Sequence, residues 1–392
     1  MLVFAKISKS ISLLSFSVLF VGLAIWQMPV AHAAVYAMPA PGNDIVGEVV
    51  TVRSGSDDTL LTIGNRYGVG MHEMLEANPQ LHQDQFKASQ YLGRGKKVIV
   101  PTQYILPVYR KGIVINLPEL RLYYFTPDGK YVYTYPVGLG RAAWRTPLAS
   151  TTVISKEKDP IWNVPPSIHA YVLEETGKDL PSRVMPGPEN PLGPYAMHLG
   201  TSGYLIHGTI QPWSIGKYIS SGCIRLHNED VDQLYHMVTV GTQVHLINFA
   251  NKAGWSNGQL YLASRVPLEL SVPHSSLNPA TVNEVLASKA HGANIDWNKV
   301  EKTLNESTGI PQVVGGGSAP THMAQADMGP LPENSNYASD RSYLNDTTYG
   351  DDNRVVKVVE VYDEASDIKD SKEVQDIIRK TPGVVELDYY EN

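Results

Sequence analysis

One cysteine and one histidine in this sequence are spaced to do nucleophilic chemistry together. Cys223 is the only cysteine among 392 residues, and His207 precedes it by 16 positions, directly after the apolar run Tyr204-Leu205-Ile206. A thiol becomes a useful nucleophile when a base takes its proton or holds the thiolate as an ion pair, and histidine is the usual partner. Ser220-Ser221-Gly222 places small side chains before the cysteine, so a substrate can reach the backbone. The amides of Ser221, Gly222 and Cys223 are then candidates for an oxyanion hole. Arg225 adds a positive charge, either to grip a substrate carboxylate bidentately or to hold the loop through an acidic partner. Two other uses compete. Cys223 with His207, His227 or His236 could ligate a metal, but no C-x-x-C or H-E-x-x-H spacing accompanies them. A lone cysteine is also often a small buried apolar residue, and composition alone favours that reading. The flanking residues reverse it.

These groups need a rigid frame, and the surrounding pattern is that of short strands. Residues 113–116 and 120–125 are strand-like, and Pro127-Asp128-Gly129 is a turn. Tyr131, Tyr133 and Tyr135 then recur at period two. Further short strands are expected at 151–155, 204–207 and 243–247, and the clearest helical pattern spans 229–237. With 22 tyrosines against 6 phenylalanines, strand formers dominate. The expected fold class is mainly β, a largely antiparallel sandwich or barrel with few helices.

Other segments surround that core. Lys6 and Lys9, an apolar run over 11–26 and Ala31-His32-Ala33 make residues 1–33 a secretory signal peptide cleaved after Ala33, which implies export. Residues 34–47, with Pro39, Pro41 and Gly42, read as a linker. Residues 48–102 read as a small β-α-α-β unit. Its first helix is capped by Asp58 or Thr59, presents Leu60, Ile63 and Tyr67 on one face and ends at Gly68. Its second carries Met71, Met74 and Leu75 and stops near Asn78-Pro79. Beyond the core, 251–312 reads as a subdomain with helices at 281–290 and 295–304. Residues 313–353 read as a disordered linker rich in Gly, Ser, Pro, Asn and Asp, and 354–392 as an acidic β-α-β tail. A formal net charge of −7 argues against nucleic acid as a partner.

Two stretches carry a resemblance. Val50-Thr51-Val52, Asp58-Thr59-Leu60, Tyr67-Gly68-Val69, Asn78-Pro79-Gln80-Leu81 and Val98-Ile99-Val100-Pro101 resemble a LysM domain, which implies binding to glycan chains of N-acetylglucosamine. His207-Gly208-Thr209 followed by Ser220-Ser221-Gly222-Cys223-Ile224-Arg225-Leu226, with Asn228, resembles the L,D-transpeptidase catalytic domain of the YkuD family. That resemblance extends to Pro136-Val137-Gly138, Thr146-Pro147 and Gly193-Pro194-Tyr195-Ala196 and covers about 110–250. It implies Cys223 as the acylated nucleophile and His207 as its base, with the second ring nitrogen held by a backbone carbonyl, here that of Gly208. It implies an oxyanion hole around Ser221, Gly222 and Cys223, and places Ser220, Arg225 and Asn228 near the nucleophile as substrate-binding or loop-structuring residues. No cofactor and no metal are implied. The implied partner is periplasmic peptidoglycan. A tetrapeptide stem loses its terminal D-alanine, and its diaminopimelate carbonyl passes to another stem, to the C-terminal lysine of an outer-membrane lipoprotein, or to water. Carbapenems acylate the nucleophile in that family. A peptidase of the same fold and a non-catalytic wall-binding protein are the alternatives.

Overall fold

The computed structural model describes residues 33–82, 90–265 and 292–317. The expected signal peptide except Ala33, the expected helix at 281–290, the expected acidic tail and nearly all of the expected linker lie outside the described residues.

A nine-stranded sheet organises the chain, in the order Ala34–Ala37, Tyr131–Pro136, Arg121–Phe125, Gly112–Asn116, Gln243–Ile247, Ala149–Lys158, Tyr195–Leu199, Leu205–His207 and Ile224–Arg225. The mainly β expectation matches it. Most pairings are antiparallel, but Gln243–Ile247 runs parallel to Gly112–Asn116, and Leu205–His207 runs parallel to Ile224–Arg225. The sheet is covered on both sides. One core gathers Ile113, Ile115, Leu122, Ile206, Ile224, Val231 and Leu234, and the other gathers Val114, Tyr123, Phe125, Val132 and Ile247. That two-sided cover explains why Tyr123 and Tyr124, adjacent in sequence, are both buried. The helix Asn228–Met237 lies over the first core through Val231 and Leu234.

The residues expected to form a linker after position 33 do not. Ala34–Ala37 is an edge strand paired with Tyr131–Thr134, and Ile45–Gly47 pairs with Gln103–Ile105. The prolines that suggested a linker sit in the turn between those two strands, where a missing N–H costs no ladder bond.

The β-α-α-β unit forms as expected from Val50–Arg53, Leu60–Arg66, Met71–Ala77 and Lys97–Val100. Thr59 rather than Asp58 caps the first helix, accepting the Thr62 N–H at 3.0 Å. Asp58 instead accepts the Gly55 amide and pairs with Arg66. Tyr67 is exposed and caps the helix C-terminus, so the buried face is Leu60, Ile63 and Gly64. Asn78 ends the second helix and locks it to the last strand, donating to the Met74 and Ile99 carbonyls and accepting the Ile99 N–H, each at 2.8 Å.

Among the described residues, the segment after residue 250 holds four strands together with the helix expected at 295–304. Asn251–Ser256 and Gln259–Ser264 form a hairpin joined by Gln312–Gly316 and Asn294–Ile295, and the helix spans Trp297–Glu306. The strand Gln312–Gly316 therefore occupies the start of the expected linker.

Buried ions join the three units. Arg121, on a sheet strand and fully buried, donates to both carboxylate oxygens of Glu73 on the second small helix, at 3.0 and 2.6 Å. Arg265, on the C-terminal hairpin, pairs with Glu76 and reaches Glu73. Lys252 meets Glu119 at 2.5 Å. The mutual fields hold Glu76 and Glu119 ionised despite burial.

Candidate active site

Cys223 and His207 come together because their strands are neighbours. In the parallel pair, Ile206 faces Ile224 and His207 faces Arg225. Ile206 and Ile224 point into the core and are fully buried. Alternation therefore sends the residues on either side, Cys223 and Arg225 on one strand and His207 on the other, to the opposite face. The Leu226 N–H donates to the His207 carbonyl at 2.9 Å, and Arg225 and Gly138 exchange two backbone bonds of 2.9 Å. The histidine thus stands at the end of a strand anchored on both sides.

Ser220, Gly222 and Thr146 shape the loop before the cysteine. The Ser220 hydroxyl donates to the Cys223 carbonyl at 2.6 Å and accepts the Gly222 N–H at 3.2 Å. Thr146 donates to the Gly222 carbonyl at 2.8 Å and accepts the Gly140 N–H at 2.9 Å. Gly222 has φ +104°, and a Cβ there would lie 2.9 Å from Tyr204 Cε1. Only glycine fits. The three amides expected to face an oxyanion differ in their partners. The Gly222 N–H is already committed to Ser220, whereas those of Ser221 and Cys223 meet no acceptor among the described residues.

Asn228 braces the histidine. Its Oδ1 accepts the Thr209 N–H at 2.8 Å and lies 2.4 Å from where a Gly208 Cβ would stand. The first residue of the helix Asn228–Met237 thus clamps the turn that follows His207. His227, just before it, is half-buried.

The electrostatics select a protonation state. His207 is pushed down to about 3, first by burial and then by the positive field of Arg225, against the carbonyls of Gly208 and Leu192, which favour the charged ring. The expected Gly208 carbonyl therefore faces the imidazole, but Nδ1 makes no hydrogen bond. Burial raises the Cys223 thiol, more than the Leu205 backbone and the Arg225 charge lower it. Both groups rest neutral. Sγ lies 3.7 Å from the Gly203 carbonyl, and no hydrogen bond joins it to His207.

Arg225 has no acidic partner among the described residues. One guanidinium nitrogen donates to Gln211 Oε1 at 3.1 Å, and Nε is buried without an acceptor. Burial lowers its pKa to about 10. Of the two uses open for this arginine, the carboxylate-braced loop is not the one formed among the described residues. No three His, Cys, Asp or Glu side chains among those residues are grouped to hold a metal.

Several neighbours carried no individual signal. Gln211 and Tyr204 are such residues, and Thr146 is visible only as part of the resemblance. The helix Pro166–Thr176 was also unforeseen, because it buries no residue and so shows no apolar stripe. The small β-α-α-β unit touches the same region, with the His72 N–H donating to the Gly216 carbonyl at 3.2 Å.

A family model described as the L,D-transpeptidase catalytic domain, YkuD, matches residues 110–246. A protein of Escherichia coli K12 named "Probable L,D-transpeptidase ErfK/SrfK" is 36% identical over 295 residues, covering 73% of this chain and 92% of its own length. Two others from the same strain, named "Probable L,D-transpeptidase YcfS" and "Probable L,D-transpeptidase YbiS", are 35% and 33% identical, covering 88% and 92% of their lengths and 72% of this chain in each case.

Proposed function

This chain belongs to the L,D-transpeptidase family, and from that membership we propose that Cys223 is its acylated nucleophile, His207 its general base, and peptidoglycan tetrapeptide stems its donors. The observation that carries the assignment is a neutral imidazole fixed at a strand end beside a glycine-shaped loop with two unengaged amides.

The chemistry follows from those positions. The resting thiol turns from the Gly203 carbonyl toward His207 and gives up its proton as Sγ attacks the carbonyl at the L-centre of diaminopimelate. The oxyanion forms against the amides of Cys223 and Ser221, which cost no reorganisation because no other group holds them. The imidazolium returns its proton to the departing D-alanine amine, leaving a thioester. Attack by an amine, deprotonated by His207, completes the transfer. The thioester retains the energy of the broken amide, so no nucleotide is consumed. Arg225 favours the thiolate as it forms and opposes protonation of His207 beforehand.

The finer reading is that of an exported enzyme. The signal-like segment 1–33 supports a periplasmic location. The β-α-α-β unit supports a LysM glycan-binding role, and its buried bonds to Arg121 and Arg265 would hold a bound glycan at a fixed place relative to Cys223. The acceptor is a second stem or a lipoprotein lysine. Purified protein incubated with disaccharide-tetrapeptide should release D-alanine and yield a 3→3 crosslinked dimer by mass spectrometry. Cys223→Ala should yield neither. Tripeptide monomer alone, with no dimer and no lysine adduct under any condition, would overturn transfer in favour of hydrolysis. A carbapenem should add one drug mass, lost in Cys223→Ser.

A further inference from the structure

A second arginine stands beside the nucleophile loop. Arg141 is tied to it by the backbone, its N–H donating to the Ser220 carbonyl at 3.0 Å and its carbonyl accepting the Trp144 N–H at 2.9 Å. Its guanidinium lies 5.0 Å from the Trp144 ring and 4.3 Å from the Tyr171 ring. The two rings are themselves 5.4 Å apart and tilted by 59°. Trp144 belongs to the turn against Gly222, its backbone oxygen 3.5 Å from where a Gly222 Cβ would be. Tyr171 belongs to the helix Pro166–Thr176. The arginine therefore joins the wall that carries the nucleophile to a helix with no buried residue.

Its charge is unanswered. Among the described residues Arg141 makes no ion pair and no side-chain hydrogen bond to an acceptor, and it is only half-buried. Its field reaches Arg225, which it disfavours in the charged form. Arg225 likewise has no carboxylate partner among the described residues, and its buried Nε meets no acceptor there. Two guanidinium groups at the nucleophile loop, close enough for one to disfavour the charge of the other and neither paired with an acid among the described residues, make a place that an anion stabilises. Contact with aromatic rings holds a guanidinium while leaving its N–H edge able to meet a carboxylate in plane.

We propose that Arg141 is a specificity-determining residue that grips a carboxylate of the donor stem, held for that task by Trp144 and Tyr171. This rests on the reading of the chain as an enzyme that acts on tetrapeptide stems. The donor offers two carboxylates close to the bond that breaks. One is the terminal carboxylate of the departing D-alanine, and the other is the free carboxylate at the D-centre of diaminopimelate. Either has the planar form that a guanidinium fork accepts, which a lysine would meet only as a point charge.

The test uses the full chain and three donors: the plain disaccharide-tetrapeptide, the same with its diaminopimelate carboxylate amidated, and the same ending in D-alaninamide. Release of the terminal residue is followed for wild type, Arg141→Lys and Arg141→Ala, with thermal melting as a control for folding. Arg141→Ala should lower kcat/KM for the plain donor by about 10- to 100-fold, the scale of a lost charge-assisted bidentate contact, mainly through KM. It should have little effect on the one donor whose recognised carboxylate is already amidated, which identifies that carboxylate. Arg141→Lys should fall between. An equal loss on all three donors would make Arg141 a brace for the helix and overturn the proposal, as would no loss on any. Failure of the wild type on every donor is a different result and would overturn the transpeptidase assignment beneath it.

Discussion

The resting state of the nucleophile can be tested without any substrate. Cys223 is raised above the ordinary thiol value of 9.0 by burial, and a thiol at or above that value is about 1% thiolate or less at pH 7. An ion-paired cysteine, with its pKa near 4, would be fully thiolate there. Alkylation by iodoacetamide tracks the thiolate fraction. Cys223 should therefore react roughly 100-fold more slowly at pH 7 than an ion-paired thiolate of equal access, and its rate should climb about tenfold per pH unit toward pH 9. The assay is intact-mass alkylation from pH 5 to 10, paired with thiolate absorbance at 240 nm. Because His207 is held down to about 3, no histidine step should appear in the alkylation curve between pH 5 and 8. Arg225→Gln should move the curve to still higher pH, since the Arg225 charge is one of the influences lowering Cys223. Full thiolate absorbance already present at pH 5 and unchanged to pH 8 would refute the neutral pair and require a thiolate-imidazolium pair at rest.

Other measurements probe the frame. Gly222→Ala should retain the fold but lose most acylation, because the alanine methyl meets Tyr204 at 2.9 Å and the backbone is held at φ +104°; near-normal carbapenem acylation would argue against that loop geometry. Glu73→Gln strips the charge facing the buried Arg121 and should cost about 3–5 kcal/mol in denaturant unfolding, whereas joint replacement of Glu73 and Arg121 by Met should cost far less. Equal losses would mean that packing, not charge, dominates there. Asp230 is buried, one carboxylate oxygen has no partner, and its pKa is raised to about 7, first by burial and then by Glu229. The fold therefore prefers its protonated form, so the stability it contributes is present below the ordinary carboxylate range and is lost as pH rises through about 7. Asp230→Asn should raise Tm at pH 8 and change it little at pH 4, and an equal effect at both would contradict the shifted titration.

Much of the site was legible in the chain because its parts are local. Ser220, Gly222 and Cys223 bond within one turn, and His207 marks the end of a short apolar strand. The small β-α-α-β unit was legible for the same reason, since its caps and apolar faces lie within a few residues of one another. Where local signals misled, long-range partners had decided. Prolines suggested a linker over 34–47, but Ala34–Ala37 finds Tyr131–Thr134 nearly one hundred residues away. Tyr67 matched a helical face, but the core was already filled by Leu60, Ile63 and Met74.

By itself, the sequence determined which atoms can react: one thiol, the histidine before it, and the glycine that lets the loop bend between them. Tertiary structure decided the state in which they wait. The thiol and imidazole are neutral because both are buried and because Arg225, unpaired with any acid among the described residues, stands beside them. It also decided that Gly222 spends its amide on Ser220, while those of Ser221 and Cys223 meet no acceptor among the described residues. Desolvation and hydrogen-bond competition depend on every neighbour in space, and no spacing along the chain encodes them.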